Sequence, residues 1–125
     1  MKAILIDSDI FIEVSRGRDA GILADWNTLS GADVLLLCSP VTVAEIWHGA
    51  RASEHSALNA LFTALTCVPI DAEIGRRAGE YLRLYAKSHG VELGDALIAA
   101  TASIHGLTLW TRNRKHYPMR DVSFY

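Results

Sequence analysis

The stretch Lys2-Ala3-Ile4-Leu5-Ile6-Asp7-Ser8-Asp9-Ile10-Phe11-Ile12 decides how the rest of the chain is read. Ala3–Ile6 is a short apolar run of the kind that fills a strand buried on both faces. Asp7 and Ser8 follow it, and their side chains suit the first turn of a helix. A strand that passes directly into a helix predicts an α/β unit. It also puts the Asp7 carboxylate at the carboxyl end of the strand.

Outward from this stretch the same alternation recurs. Apolar runs at Val34–Cys38, Val68–Ile70 and Leu107–Thr111 read as further buried strands, with a weaker fifth at Val122–Phe124. Helical patterns lie between them. Ile10–Arg16 ends at Gly17, Ala20–Leu29 follows Asp19, Val43–Arg51 follows Thr42, and Glu54–Leu65 follows Ser53. Ala72–His89 runs from Asp71 to Gly90, and Ala96–His105 from Asp95 to Gly106. These starts and stops match helix-capping chemistry. Together they predict an α/β fold: a three-layer α-β-α sandwich around a short, mostly parallel sheet, with residues 1–125 as one domain. Sites in such sheets form outside the carboxyl ends of the strands.

Composition narrows the class. Half of the residues are hydrophobic, enough for a core without disulfides or structural metals. No apolar run approaches the roughly 18 residues of a membrane span. The first strand is too short for a signal peptide, so a cytoplasmic protein without a membrane partner is expected. Cys38 and Cys67 form no CxxC pair and read as buried free thiols. The net charge of −2 is unevenly spread: residues 1–70 carry four Lys/Arg against eight Asp/Glu, and residues 71–125 carry eight against six. Arg112, Arg114, Lys115 and Arg120 crowd the end of the chain beside His116.

Four residues stand where chemistry is expected, and each has a plainer local reading. Asp7 caps a helix or serves a site. Glu45 follows the second strand, and Thr42-x-x-Glu45 fits a capping box. His48, in a Glu-x-x-His pair without a second copy, reads as a surface side chain. Asp95 fits a helix N-cap; Gly94 before it permits close backbone approach, and Ala96, Ala99 and Ala102 leave a small-residue face. A helix N-terminus would hold the Asp95 pKa down and keep the carboxylate ionised. Asn113 follows the last strong strand and offers a neutral oxygen.

Local capping does not explain why these groups follow three different strands at one sheet edge. Ionised carboxylates gathered within about 5 Å repel by a few kcal/mol at an effective dielectric of 20. Such a cluster takes up a divalent cation or a proton. Oxygen ligands with few His or Cys partners favour Mg²⁺, or Mn²⁺ as a substitute, over zinc.

With these residues in order, the chain resembles the PIN-domain family, especially VapC-like ribonuclease toxins of type II toxin–antitoxin pairs. Ile4–Ile12 resembles the family's opening strand–Asp motif, and Val41-Thr42-Val43-Ala44-Glu45 with Gly49 its central glutamate motif. Gly94–Ala102 resembles the third acidic motif, and Leu109-Trp110-Thr111-Arg112-Asn113-Arg114-Lys115-His116-Tyr117 the closing one. The resemblance implies catalytic roles for Asp7, Glu45, Asp95 and Asn113. The metal ligands would be Asp7 and Asp95, supported by Glu45. It places Asn113 where many relatives hold Asp, which removes one negative charge and leaves one-metal and two-metal chemistry both open. Ser8 and Thr111 occupy hydroxyl positions suited to ordering carboxylates or touching phosphate, and Arg112, Arg114 and Lys115 would grip flanking phosphates.

The implied activity is endoribonuclease cleavage, with a metal-activated water hydrolysing RNA phosphodiesters. The implied partners are the RNA substrate and a small cognate antitoxin, with homodimerisation or a hetero-oligomer. Ile22, Leu23 and Trp26 on the early helices are candidate contact surface. Three alternatives remain at this stage: a housekeeping PIN-type RNA-processing nuclease, a catalytically silent interaction protein, and a haloacid-dehalogenase-type phosphatase suggested by Asp7-x-Asp9. The last fits poorly, because a helix begins at once after the first strand and no Gly-Thr loop follows Asp9.

Overall fold

The computed structural model describes residues 2–125. Strand β1 (Lys2–Ile6) explains the layering by its own alternation. Ile4 and Ile6 enter one apolar cluster and Leu5 enters the other, and all three are fully buried. A strand buried on both faces belongs at the centre of a covered sheet. Around it stand β2 (Val34–Cys38), β3 (Thr66–Cys67), β4 (Thr108–Trp110) and β5 (Ser123–Phe124). Their order is β3-β2-β1-β4-β5, and every pairing is parallel. Ile4 pairs with Leu36 on one side and with Thr108 on the other.

The helices are α1 (Ser8–Arg16), α2 (Ala20–Ser30), α3 (Pro40–Gly49), α4 (His55–Thr63), α5 (Ala72–His89) and α6 (Leu93–His105). Ile10 and Phe11 of α1, Ile22 and Leu29 of α2, Ile46 of α3 and Leu58 of α4 pack on the Ile4/Ile6 face. Helices α5 and α6 cover the Leu5 face. The expected three-layer α/β sandwich is therefore the observed fold, with a sheet that is wholly parallel. Beneath α5, the Tyr81 hydroxyl donates to the Asp121 carboxylate (2.7 and 2.8 Å to its two oxygens) and lies 2.9 Å from Ser103 Oγ. This network fastens the C-terminal segment to two helices.

Several boundaries differ from the sequence reading. The third strand is Thr66–Cys67 rather than Val68–Ile70, because only two residues reach register with β2 before the chain turns away. Cys67 on that edge strand is exposed, contrary to expectation, while Cys38 opposite it is buried. Burial and the neighbouring Cys67 push the Cys38 thiol up to about 12, which keeps it protonated. Ile22 is 9 % exposed and belongs to the core, so it is not contact surface; Leu23 and Trp26 are half-buried. Among the described residues, no helix is long and apolar enough to cross a membrane.

Helix α6 packs closely because its inner side is built from small residues: Ala96, Ala99 and Ala100 are fully buried. A Cβ added at Gly94 would meet Val41 Cγ1 at 3.3 Å, so α6 also begins hard against α3. Replacing Ala99 with Leu is expected to cost about 1–3 kcal/mol through overpacking. The measurement is the urea midpoint at unchanged denaturant slope; a loss below about 0.5 kcal/mol, ordinary for a surface site, would contradict the close α6 packing.

Candidate active site

Asp7 is the N-cap of α1, and its backbone amide donates to Trp110 O at 3.0 Å, so the site begins where β1 and β4 end. The residue is 7 % exposed, and its side chain is held from three directions. The Ser8 amide donates to Oδ1 at 2.8 Å. The Thr111 hydroxyl donates to Oδ2 at 2.9 Å and the Tyr117 phenol donates to the same oxygen at 2.8 Å. Burial, followed by the Asp7 charge, raises the Tyr117 pKa well above the usual phenol range. Tyr117 is thus a fixed donor. For Asp7, capping and site roles coincide.

Glu45 is freed from the capping role that the sequence suggested. Helix α3 starts at Pro40 after Ser39, whose Oγ accepts from the Val41 amide at 3.1 Å. Thr42 therefore lies inside the helix, with a buried hydroxyl that has no partner among the described residues. The Glu45 carboxylate instead accepts from Ser8 Oγ at 3.4 Å. Asp95 is likewise not the N-cap, because α6 begins at Leu93, two residues before it, with Glu92 as its cap. Asp95 Oδ2 accepts from the Glu92 amide at 3.2 Å and lies 3.9 Å from His116 Nδ1.

These elements converge on a cleft of about 290 Å³ lined by Asp7, Ser8, Asp9, Glu45, Glu92, Asp95, Asn113 and His116. Asn113 donates its amide to Thr111 Oγ1 at 3.1 Å, which links the turn after β4 to the Asp7 anchor. Of the residues singled out by sequence, Asp7, Ser8, Glu45, Asp95 and Asn113 line one cavity, and Thr111 bonds to Asp7. Arg112, Arg114 and Lys115 do not line it. The Arg112 guanidinium lies 3.3 Å from Glu13, and Arg114 donates to Tyr125 O at 3.0 Å while sitting over the Phe124 ring. Lys115 is exposed between two cleft-lining residues. His48 is exposed, as expected.

Four residues of the site carry no role assigned from sequence: Glu92 and His116, which line the cleft, and Tyr117 and Asp9. Tyr117 carries no spacing signal, since it meets Asp7 only through the fold. Asp9 stood two residues past Asp7 and was weighed only for another chemistry. Its Oδ2 accepts from the Arg112 amide at 2.9 Å, while its Oδ1 is buried without a partner among the described residues.

The carboxylates disfavour one another. Burial, then the Asp7 charge, raises the Asp9 pKa. Burial, then Asp7 and Asp95, raises that of Glu45. Asp95 is also raised, chiefly by burial, although the Glu92 amide and His116 pull the other way. The lowered value expected from the helix N-terminus is therefore corrected: desolvation outweighs the helix end.

Among the described residues, no three His, Cys, Asp or Glu side chains form a ready-made metal cage. A hydrated Mg²⁺ does not require one, because it takes one or two carboxylates and keeps several waters. The all-oxygen donors, their mutual repulsion and the orphaned Asp9 Oδ1 fit a hard divalent cation.

The PIN domain family matches this chain over residues 4–123, and the chain belongs to this family. It is 40 % identical over 117 residues to Ribonuclease VapC10 of Mycobacterium tuberculosis, covering 93 % of this chain and 86 % of that protein. It also superposes on the VapBC2 structure from Rickettsia felis bound to a promoter DNA fragment, with a TM-score of 0.82, 19 % identity and coverage of 98 % and 97 %. The FitAcB structure from Neisseria gonorrhoeae matches with a TM-score of 0.74, 28 % identity and coverage of 98 % and 96 %.

Two outcomes follow from the site's wiring. Tyr117→Phe keeps the ring and removes a donor to a buried carboxylate, so a loss of about 1.5–3 kcal/mol is expected in chemical denaturation; an unchanged midpoint would contradict the anchor. For Glu45, a raised native pKa means that the folded protein binds the proton more tightly than the unfolded chain. Its ionised form therefore opposes folding above the raised value, and that penalty disappears as pH falls toward the ordinary 4.5. Glu45→Gln should thus raise the melting temperature in EDTA at pH 7.5, with the advantage shrinking on acidification. A constant advantage at every pH would contradict the repulsion.

Proposed function

We propose that this chain is a divalent-metal-dependent endoribonuclease acting as the toxin of a toxin–antitoxin pair. The observation that carries this reading is the cleft in which Asp7, Glu45 and Asp95 meet, in a PIN-family chain similar over most of its length to a VapC ribonuclease. PIN membership displaces the haloacid-dehalogenase reading.

Asp7 and Asp95 are the proposed ligands for Mg²⁺ or Mn²⁺, with Glu45 supporting them. The cation would neutralise phosphate charge and lower the pKa of an attacking water. The residues' own contribution is positioning. Thr111 and Tyr117 hold Asp7 Oδ2, while Oδ1 accepts from the Ser8 amide at 2.8 Å and lies 3.5 Å from the Ser8 hydroxyl. Ser8 Oγ orients Glu45, and Asn113 adds a neutral oxygen where a further carboxylate would deepen the repulsion. Lys115 is the best placed of the basic cluster to meet a substrate phosphate, since Arg112 and Arg114 already hold other partners.

The proposed protein partner is a small antitoxin that blocks the acidic cleft, within a homodimer or a hetero-oligomer. The structures similar to this one include toxin–antitoxin complexes, such as that of Klebsiella pneumoniae (25 % identity, TM-score 0.74), which supports the reading.

Purified protein should cleave single-stranded RNA with Mg²⁺ and lose that activity in excess EDTA. Asp95→Asn should lower kcat/KM by roughly 10²–10³-fold, as when a group serving transition-state charge is removed. Cleavage that continues undiminished in EDTA and in Asp95→Asn would overturn the proposal, and a folded wild type inactive on every RNA would favour a silent binding protein.

A further inference from the structure

The acidic first 70 residues hold only four Lys or Arg: Lys2, Arg16, Arg18 and Arg51. Three of these four, Arg16, Arg18 and Arg51, line one cleft of about 400 Å³ together with Ser15 and Glu54. Two helix ends bring them there. Arg16 closes α1, Gly17 turns the chain in the left-handed region (φ 66°), and Arg51 follows the end of α3. Arg16 suits a helix C-terminus on dipole grounds, but that does not explain Arg51 beside it.

The cations in this cleft are poorly neutralised. Among the described residues, neither Arg16 nor Arg51 has a carboxylate within the 4.0 Å of an ion pair, while Arg18 meets Glu13 at 3.4 Å with its side chain 64 % exposed. Glu13 also meets Arg112 at 3.3 Å, so one carboxylate is shared between two guanidiniums and leaves net positive charge there. Glu54, the one acid in the wall, already accepts from the Arg51 amide at 2.9 Å.

The cleft is also joined to the acidic site. A narrower groove of about 80 Å³ shares Ser15, Arg16 and Glu54 with it and reaches Glu45, which lines both that groove and the acidic cleft. From Ser8 to Arg16 is about 12 Å along the axis of α1. A cleft of carboxylates repels a polyanion, so a substrate strand needs cationic anchoring nearby.

We propose that Arg16, Arg18 and Arg51 form a phosphate subsite that holds the backbone of single-stranded RNA flanking the scissile bond. The strand runs from there past Ser15 and Glu45 into the acidic cleft. Guanidinium forks suit phosphate oxygens, which favours this use of arginine over a merely solvated surface. The inference rests on the ribonuclease reading and adds where the substrate lies.

The test is fluorescence anisotropy of a labelled single-stranded RNA of about 20 nucleotides, in EDTA to prevent cleavage, with wild type and Arg16→Gln/Arg51→Gln across a salt series. Removing two phosphate contacts should flatten the slope of log affinity against log salt by about 1.4. The deficit of the variant should correspondingly shrink about sevenfold between 50 and 200 mM salt. Unchanged thermal melting of the variant would verify that the exposed substitutions leave the fold intact. If wild type binds RNA and the variant matches it in affinity and slope, the subsite is overturned while the ribonuclease reading stands. A labelled acidic peptide is titrated in parallel; if the variant loses only its binding, the cleft belongs to a protein partner and the RNA proposal fails. A wild type that binds no RNA in EDTA would overturn the subsite, while the ribonuclease reading stands or falls on cleavage with Mg²⁺.

Discussion

A carboxylate buried at the end of a central strand must be solvated by the protein itself, because an ion withdrawn from water without partners is too costly to keep. Asp7 meets this constraint through a local amide from Ser8 and two distant hydroxyls, from Thr111 and Tyr117. Those hydroxyls lie 104 and 110 residues away in sequence, so burying Asp7 requires β4, the turn after it and the C-terminal segment to be in place. The Tyr81–Ser103–Asp121 network secures that same segment from the other side. The charge that begins the site thus also ties the two ends of the chain together.

Around that anchor the protein gathers charges that oppose one another. Asp9, Glu45 and Asp95 all have raised pKa values, with burial first among the causes and neighbouring carboxylates contributing. Repulsion of this kind stores a preference for positive charge, whether protons or a divalent cation. The parallel sheet supplies the geometry, since β1 carries Asp7 at its carboxyl end while the connections after β2 and before β4 bring in Glu45 and Asp95. The arginine cleft beside the far end of α1 gives the opposite potential one helix length away. A polyanion cut at the acidic end and held at the basic end makes sense of both.

Much of this was legible in sequence because it is local. Helix α5 spans Ala72–His89 as its Asp71 cap and terminal Gly90 require. The period of Ile4, Leu5 and Ile6 announced a strand buried on both faces. The misreadings arose where two local signals competed. Thr42-x-x-Glu45 looked like a capping box, but Pro40, well suited to the first turn of a helix, marked Ser39 as the true cap. Glu92 displaced Asp95 in the same way. The edge strand was misplaced because two residues of pairing leave almost no periodic trace. Non-local features left no signature at all: the Tyr117 phenol, the orphaned Asp9 oxygen and the arginine cleft exist only once the sheet is assembled. Conversely, the run from Arg112 to Lys115 was conspicuous in sequence, yet two of its three cations are engaged elsewhere.

The central claim is that Asp7 anchors an acidic cleft built for a divalent cation. Its most direct test is an electron paramagnetic resonance titration of the metal-free protein with Mn²⁺, compared with Asp7→Asn at matched folding. The account predicts saturable loss of the free Mn²⁺ signal in the wild type, reversed by competing Mg²⁺, and marked weakening in Asp7→Asn. Equal Mn²⁺ binding by the two proteins, or none by the wild type at millimolar metal, would contradict it.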